Sequence, residues 1–249
     1  MLVATAGGLE EDIAYLEQFL ATRCPEKYRE RVSRHIAKLT RAARGERFST
    51  HVLNRHFATS HNHALIHNLR ISDNAGGYAQ IDHVLLSRKS KTISLFESKA
   101  FSGTLTKNSH GEWAVIYGRK RVEIPSPVEQ VRLQREAIRR WIDKHRLNGV
   151  FCRVGCFVLV DPRTPIDRTQ IGDDEWVYRA DNFFQHWLEF GGVDMIDRLF
   201  NLAPSTDILR RSARLLARSH QPPSGNWLRY LGVRLPLPTP EVVSRAPAD

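Results

Sequence analysis

At 249 residues, with 41% apolar and 26% charged residues, the chain can bury a substantial core as one large domain or as one domain with appendages. It has no run of about 18 apolar residues that could cross a membrane as a helix, and its start lacks the basic and apolar regions of a signal peptide, so a cytoplasmic location is expected. The formal charge of +10 favours polyanionic partners, nucleic acid first among them, while three cysteines exclude a disulfide framework.

The charge is uneven along the chain. Residues 1–22 hold four acids and no Lys or Arg, whereas residues 23–55 hold ten Lys/Arg against three acids. Residues 8–22 show helical periodicity, with Leu9, Ile13, Leu16 and Leu20 on one face. Beyond Pro25 a longer helix is predicted from about Glu26 to Phe57, with an apolar stripe of Val32, Ile36, Leu39 and Ala43. A second stripe on that helix, Arg31, Arg34, Lys38 and Arg41, has the same spacing, so its charges share a face. Together with Arg44 they are candidates for tracking a phosphate backbone; the plainer reading is a solvated helix face.

From residue 63 the period changes to two. HALIHNLRI, YAQIDHVLLSR and TISLFESKA read as strands, and WAVIY and KRVEI read as a hairpin turning at Gly118-Arg119. Ser126 is placed to cap a helix over roughly 126–146, with Pro127 at its first position and Glu129 completing a capping box. VGCFVLVDP reads as a buried strand, and Cys152 and Cys156, in the apolar run FCRVGCFVLV, as buried thiols. WVYR reads as a short strand, followed by a helix containing Phe184, Trp187 and Leu188, and an amphipathic helix over 205–219. The tail from His220 is Pro-rich and expected to be extended. The pattern is a mixed α/β core, with its sheet flanked by helices and with further helices at both ends.

The segment QIDHVLLSRKSKTISLFESKA carries the chemistry. If Lys89-Ser90 makes a two-residue turn, Arg88 pairs with Lys91 and Asp82 falls opposite Glu97. Strict alternation then puts Gln80, Asp82, Glu97 and Lys99 on one sheet face. Two opposed carboxylates repel unless a cation sits between them, and hard oxygen donors suit Mg²⁺. Lys99 is placed to orient a water and to offset negative charge. The rival reading is a surface ion pair between Glu97 and Lys99, but the apolar and aromatic residues around LFESKAF place these charges in a buried setting, where a partner or metal is needed. The histidines His51, His56, His61, His63 and His67 fit no standard zinc spacing. His83, adjacent to Asp82, points to the other face and reads as a packing residue.

The run from about Gly45 to Trp141 resembles a NERD (nuclease-related) domain, a branch of the PD-(D/E)xK restriction-endonuclease-like superfamily. The resemblance rests on Gly45-Glu46, on Gln80-Ile81-Asp82-His83 and Glu97-Ser98-Lys99, on Gly103 and Trp113, and on Pro125-Ser126-Pro127 leading to Gln130. It implies a restriction-endonuclease-like core over 44–160, with a helical extension over 1–43, an α/β and helical segment over 161–219 and the tail over 220–249. It further implies a metal-dependent deoxyribonuclease using Mg²⁺ or Mn²⁺. Asp82 and Glu97 would be metal ligands, Lys99 the catalytic lysine, Glu46 an acidic residue approaching the metal, and Gln80 and Gln130 accessory polar groups. Family members usually read ETKN or EVKN where this chain has Glu97-Ser98-Lys99-Ala100, a change that touches fine positioning. The alternatives are a non-catalytic nucleic-acid- or protein-binding module on the same fold, or a protein whose flanking helices drive oligomerisation.

Overall fold

The computed structural model describes residues 1–3, 9–73, 76–172, 176–190, 203–221 and 227–234. Most of the Pro-rich tail, including LPLPTP, lies outside the described residues. Among those described, no helix is long and apolar enough to cross a membrane.

The elements in chain order are β1 (Leu2–Val3), α1 (Leu9–Thr22), α2 (Glu26–Phe57), β2 (His63–Ser72), β3 (Tyr78–Ser87), β4 (Thr92–Lys99), β5 (Thr104–Lys107), β6 (Trp113–Tyr117) and β7 (Lys120–Ile124). They continue with α3 (Pro127–Lys144), β8 (Arg153–Val160), β9 (Val177–Arg179), α4 (Phe183–Phe190), α5 (Thr206–Arg218) and α6 (Trp227–Tyr230). Six strands form one mixed sheet in the order β1-β2-β3-β4-β8-β9, and β5-β6-β7 form a second, antiparallel sheet. This is the α/β architecture expected, a mixed sheet flanked by helices and consistent with a nuclease-like core.

Both faces of the large sheet are covered. On one, Val84, Leu86, Ile93, Leu95 and Val158 pack with Val128, Val131, Ile138 and Trp141 of α3 and with Leu209, Ala213 and Leu216 of α5. On the other, Leu65, Leu85, Phe96 and Phe157 pack with Leu53 and Phe57 of α2 and with Phe183 and Trp187 of α4. Burial on both faces is why β3 and β4 read as nearly continuous apolar runs. Trp187 Nε1 donates to Ser94 Oγ at 3.0 Å and Trp141 Nε1 to Ser219 Oγ at 3.0 Å, so both buried indoles are satisfied. At the head of α3, Ser126 Oγ accepts from the Glu129 amide with Pro127 in the first turn, as predicted. The Glu129 carboxylate pairs instead with Arg132 at 3.6 Å.

The helix α2 is about 48 Å long at 1.5 Å per residue. Its second half covers the sheet; its first half packs with α1 and α6 around Leu16, Phe19, Val32 and Leu39. The two halves meet at Gly45, where a Cβ would lie 2.7 Å from Ala100 Cβ. The absence of a side chain lets α2 cross β4 directly beyond Lys99.

Two sequence expectations need correction. Cys152 is exposed and Cys156 only half-buried, because β8 begins at Arg153 and leaves Cys152 outside the sheet. The two-residue strand β1, parallel to β2, was not foreseen.

The helix crossing generates a prediction. Gly45→Val should lower unfolding stability by about 1–3 kcal/mol, with part of the loss recovered in Gly45→Val/Ala100→Gly. Urea unfolding measures both; equal losses in the single and double variants would refute the crossing as the cause.

Candidate active site

The predicted register is the observed one: Ser87 faces Thr92, and the ladder runs to His83 opposite Phe96. Continued one step, it places Asp82 opposite Glu97, but no backbone pair forms there. Asp82 Oδ2 accepts the Ser98 amide at 2.8 Å, so a side chain takes the place of a ladder carbonyl. On the other flank of β3 the ladder also skips Asp82: its counterpart on β2, Asn68, sits at φ 53° between the pairs His67–His83 and Leu69–Ile81. The strands therefore part around Asp82.

That break overturns one expectation. Ile81 packs in the same cluster as Val84 and Leu86, which strict alternation forbids. The pleat changes face between them, so the alternation that put Gln80 beside Asp82 does not hold. The Gln80 side chain is exposed, and it is the Gln80 carbonyl that joins the site, accepting from Gln134 Nε2 at 2.8 Å.

Glu97 is buried, with both oxygens engaged. Oε1 accepts from Lys99 Nζ at 2.6 Å and Oε2 from Gln134 Nε2 at 2.7 Å. Lys99 Nζ also donates to Gln130 Oε1 at 2.9 Å. Gln130 and Gln134, one turn apart on α3, thus clamp the lysine and the carboxylate respectively. Sequence reasoning missed Gln134. Its signal was a polar residue inside the apolar stripe of α3, between Val131 and Ile138. Its Oε1 is buried without a hydrogen-bond partner among the described residues, an acceptor that calls for an ordered water.

Glu46 arrives from α2. Burial raises its pKa to about 7, and the negative charges of Glu97 and then Glu10 add to the rise, against Lys99. Asp82 is pushed well above the usual carboxylate range, first by burial and then by the charges of Glu97 and Glu46. The Ser98 amide and Lys99 oppose that shift. The three carboxylates are thus close enough to repel one another, and without a cation protonation relieves the repulsion.

Could these residues hold a metal? Among the described residues, no three His, Cys, Asp or Glu side chains close into a metal cage. Mg²⁺ needs no such cage, since one or two carboxylates with several waters suffice. Hydrogen-bonded carboxylate oxygens keep a second lone pair for it. Asp82 and Glu97 fit that requirement in donor type.

His83 is buried on the opposite face, as predicted, but it does more than pack. His83 Nε2 lies 3.1 Å from Ser98 Oγ, the Nδ1 atoms of His83 and His67 are 2.8 Å apart, and His67 Nε2 is 3.1 Å from Asn54 Oδ1. One proton assignment satisfies the whole chain: Ser98 donates to His83, His83 to His67, and His67 to Asn54. It requires both rings neutral. Burial favours that by lowering His67 to about 4 and His83 well below its ordinary value, the latter with help from His67. Ser98 thereby ties the Asp82 contact to α2 through three strands.

Of the basic residues on α2, Lys38, Arg41 and Arg44 are exposed, with no ion-pair partner among the described residues. Arg34 pairs with Glu30 at 2.8 Å. Arg31 donates to the Leu231 carbonyl at 2.9 Å, anchoring the segment after α6.

Residues 41–160 match the family model of the nuclease-related domain, NERD. This stretch of the chain is a NERD domain. It spans the second half of α2, the strands of the site, α3 and β8, and it holds every residue of the Asp82–Glu97–Lys99 group. No curated protein and no solved structure matches the chain.

The NERD site predicts a pH dependence. Between the ordinary glutamate value of 4.5 and about 7, the folded metal-free chain keeps a proton on Glu46 that the unfolded chain has lost. Stability must therefore fall as pH rises through that window. Glu46→Gln should be neutral near pH 4.5 and stabilising above pH 7, by up to about 3 kcal/mol. Urea unfolding in a chelator should show the two pH profiles diverging; parallel profiles would refute the shift.

Proposed function

We propose that the chain is a metal-dependent nuclease that hydrolyses phosphodiester bonds of DNA. The observation that carries this reading is the group of buried Asp82 and Glu97 with half-buried Lys99 where β3 and β4 part, within a nuclease-related domain. Asp82 and Glu97 would hold Mg²⁺ or Mn²⁺, with Glu46 near enough to assist. When bound, the ion polarises the scissile phosphate and lowers the pKa of its water.

The remaining work falls to the chain. Lys99 Nζ, held between Glu97 and Gln130, orients the attacking water and offsets the charge that builds on the phosphate. Gln134 keeps Glu97 turned toward Lys99, and the Ser98 amide keeps Asp82 turned across the gap. Asp82 and Glu46, which favour their protonated forms, release protons when a cation arrives. Lys38, Arg41 and Arg44 follow the phosphate backbone on its way to the site.

A second reading is a non-catalytic nucleic-acid-binding module, which the exposed Lys38, Arg41 and Arg44 would serve equally well. Cleavage of labelled DNA with Mg²⁺ or Mn²⁺ separates the two. The nuclease reading expects cleavage by the intact chain, lost on chelation, and a fall on the order of 100-fold or more in Asp82→Ala and Lys99→Ala. Salt-dependent binding without turnover would leave only the binding module, and activity that survives both substitutions would overturn the roles given to Asp82 and Lys99.

A further inference from the structure

The second sheet has no part in the site just described, yet it is rooted against it. Four residues beyond Lys99, Gly103 packs so closely on β6 that a Cβ there would collide with the Ile116 carbonyl and lie 2.8 Å from Tyr117 Cδ1. Trp113 and Val115 anchor the base of β6 in the main core. Past that anchor the hairpin leaves the protein: Ile116 is 37% exposed, Tyr117 41% and Val122 36%, and β7 is exposed along nearly its whole length.

The protruding end is strongly basic. Arg119, Lys120 and Arg121 are consecutive at the turn, which Gly118 makes at φ 59°. Tyr117 pairs with Lys120 across the strands and Ile116 with Arg121. All three cations are exposed and have no ion-pair partner among the described residues. Three adjacent like charges on a two-stranded projection repel one another, and no carboxylate pairs with them among the described residues. Beside them lies the half-exposed ring of Tyr117, an apolar plane next to cations, the combination that suits a sugar–phosphate chain and its bases.

Position gives the patch its meaning. The segment from Ala100 to Gly103 follows directly on Lys99. At its first residue it is crossed by α2, whose overhanging half carries Lys38, Arg41 and Arg44; at its last it carries the β6–β7 hairpin. The two basic projections are therefore rooted at the two ends of one four-residue segment beside the lysine.

We infer that the β6–β7 hairpin is a second nucleic-acid-holding element, which grips the DNA backbone through Arg119, Lys120 and Arg121, with Tyr117 packing against the strand. This rests on the nucleic-acid substrate proposed above, but not on turnover.

The test uses the full chain carrying Asp82→Ala, so that DNA stays intact, and a fluorescein-labelled DNA duplex followed by anisotropy at several salt concentrations. R119A/K120A/R121A should weaken binding at least tenfold at moderate salt. It should also flatten the slope of log affinity against log salt by about 2–3, at roughly 0.9 per lost phosphate contact. The control R211A/R214A/R218A removes equal charge from exposed positions on α5, which packs on β1 and β2, and it should bind nearly as tightly as the parent. An unchanged slope in the hairpin variant, an equal loss in both triple variants, or a parent that binds no DNA would overturn the inference. Cleavage is scored separately on the chain with Asp82 intact. Hairpin-dependent binding without cleavage would sink the nuclease reading and leave the hairpin standing; cleavage with hairpin-independent binding would do the reverse.

Discussion

A single hydrogen bond sets the geometry of this molecule: the Ser98 amide to the Asp82 carboxylate. In an uninterrupted ladder that amide would bond a backbone carbonyl, and β3 and β4 would stay paired to their ends. With a side chain in the carbonyl's place the strands part, and the gap between them is where Asp82, Glu97 and Lys99 converge. The other features serve that opening. Asn68 takes a left-handed conformation on β2, the histidine pair braces Ser98 from behind, and Gln134 holds Glu97 from α3.

The opening has an electrostatic consequence. Burial and mutual repulsion hold Glu46 and Asp82 above their ordinary proton affinities, and Lys99 is the one cation bonded to the group among the described residues. Such an arrangement weakens the fold near neutral pH. It becomes intelligible if a divalent cation and a phosphate complete the charge balance. The same logic runs outward along the surface, where Lys38, Arg41 and Arg44 on α2 and Arg119, Lys120 and Arg121 on the β6–β7 hairpin have no ion-pair partner among the described residues.

Much of this was legible in the sequence, and for identifiable reasons. The short turn at Lys89-Ser90 fixes the register, and the register fixes the opposition of Asp82 and Glu97. Ser126 and Pro127 announce α3 by local chemistry alone. What escaped was non-local. Gln80 was assigned to the site on strict alternation, which fails because the pleat changes face near Asp82, a break visible only with Asn68 opposite. Gln134 went unread, since only the folded helix shows what it bonds. Arg31 read as one of four equivalent cations until the Leu231 carbonyl, 200 residues away, took it up.

Everything above turns on whether the gap between Asp82 and Glu97 is a divalent-cation site. The most direct measurement is an anomalous difference map from a crystal of the chain soaked in Mn²⁺, beside one of Asp82→Asn treated alike. A cation held there gives a peak between the Asp82 and Glu97 carboxylates that is lost in the variant. A map with no peak there, or a peak that persists without the Asp82 carboxylate, would contradict it.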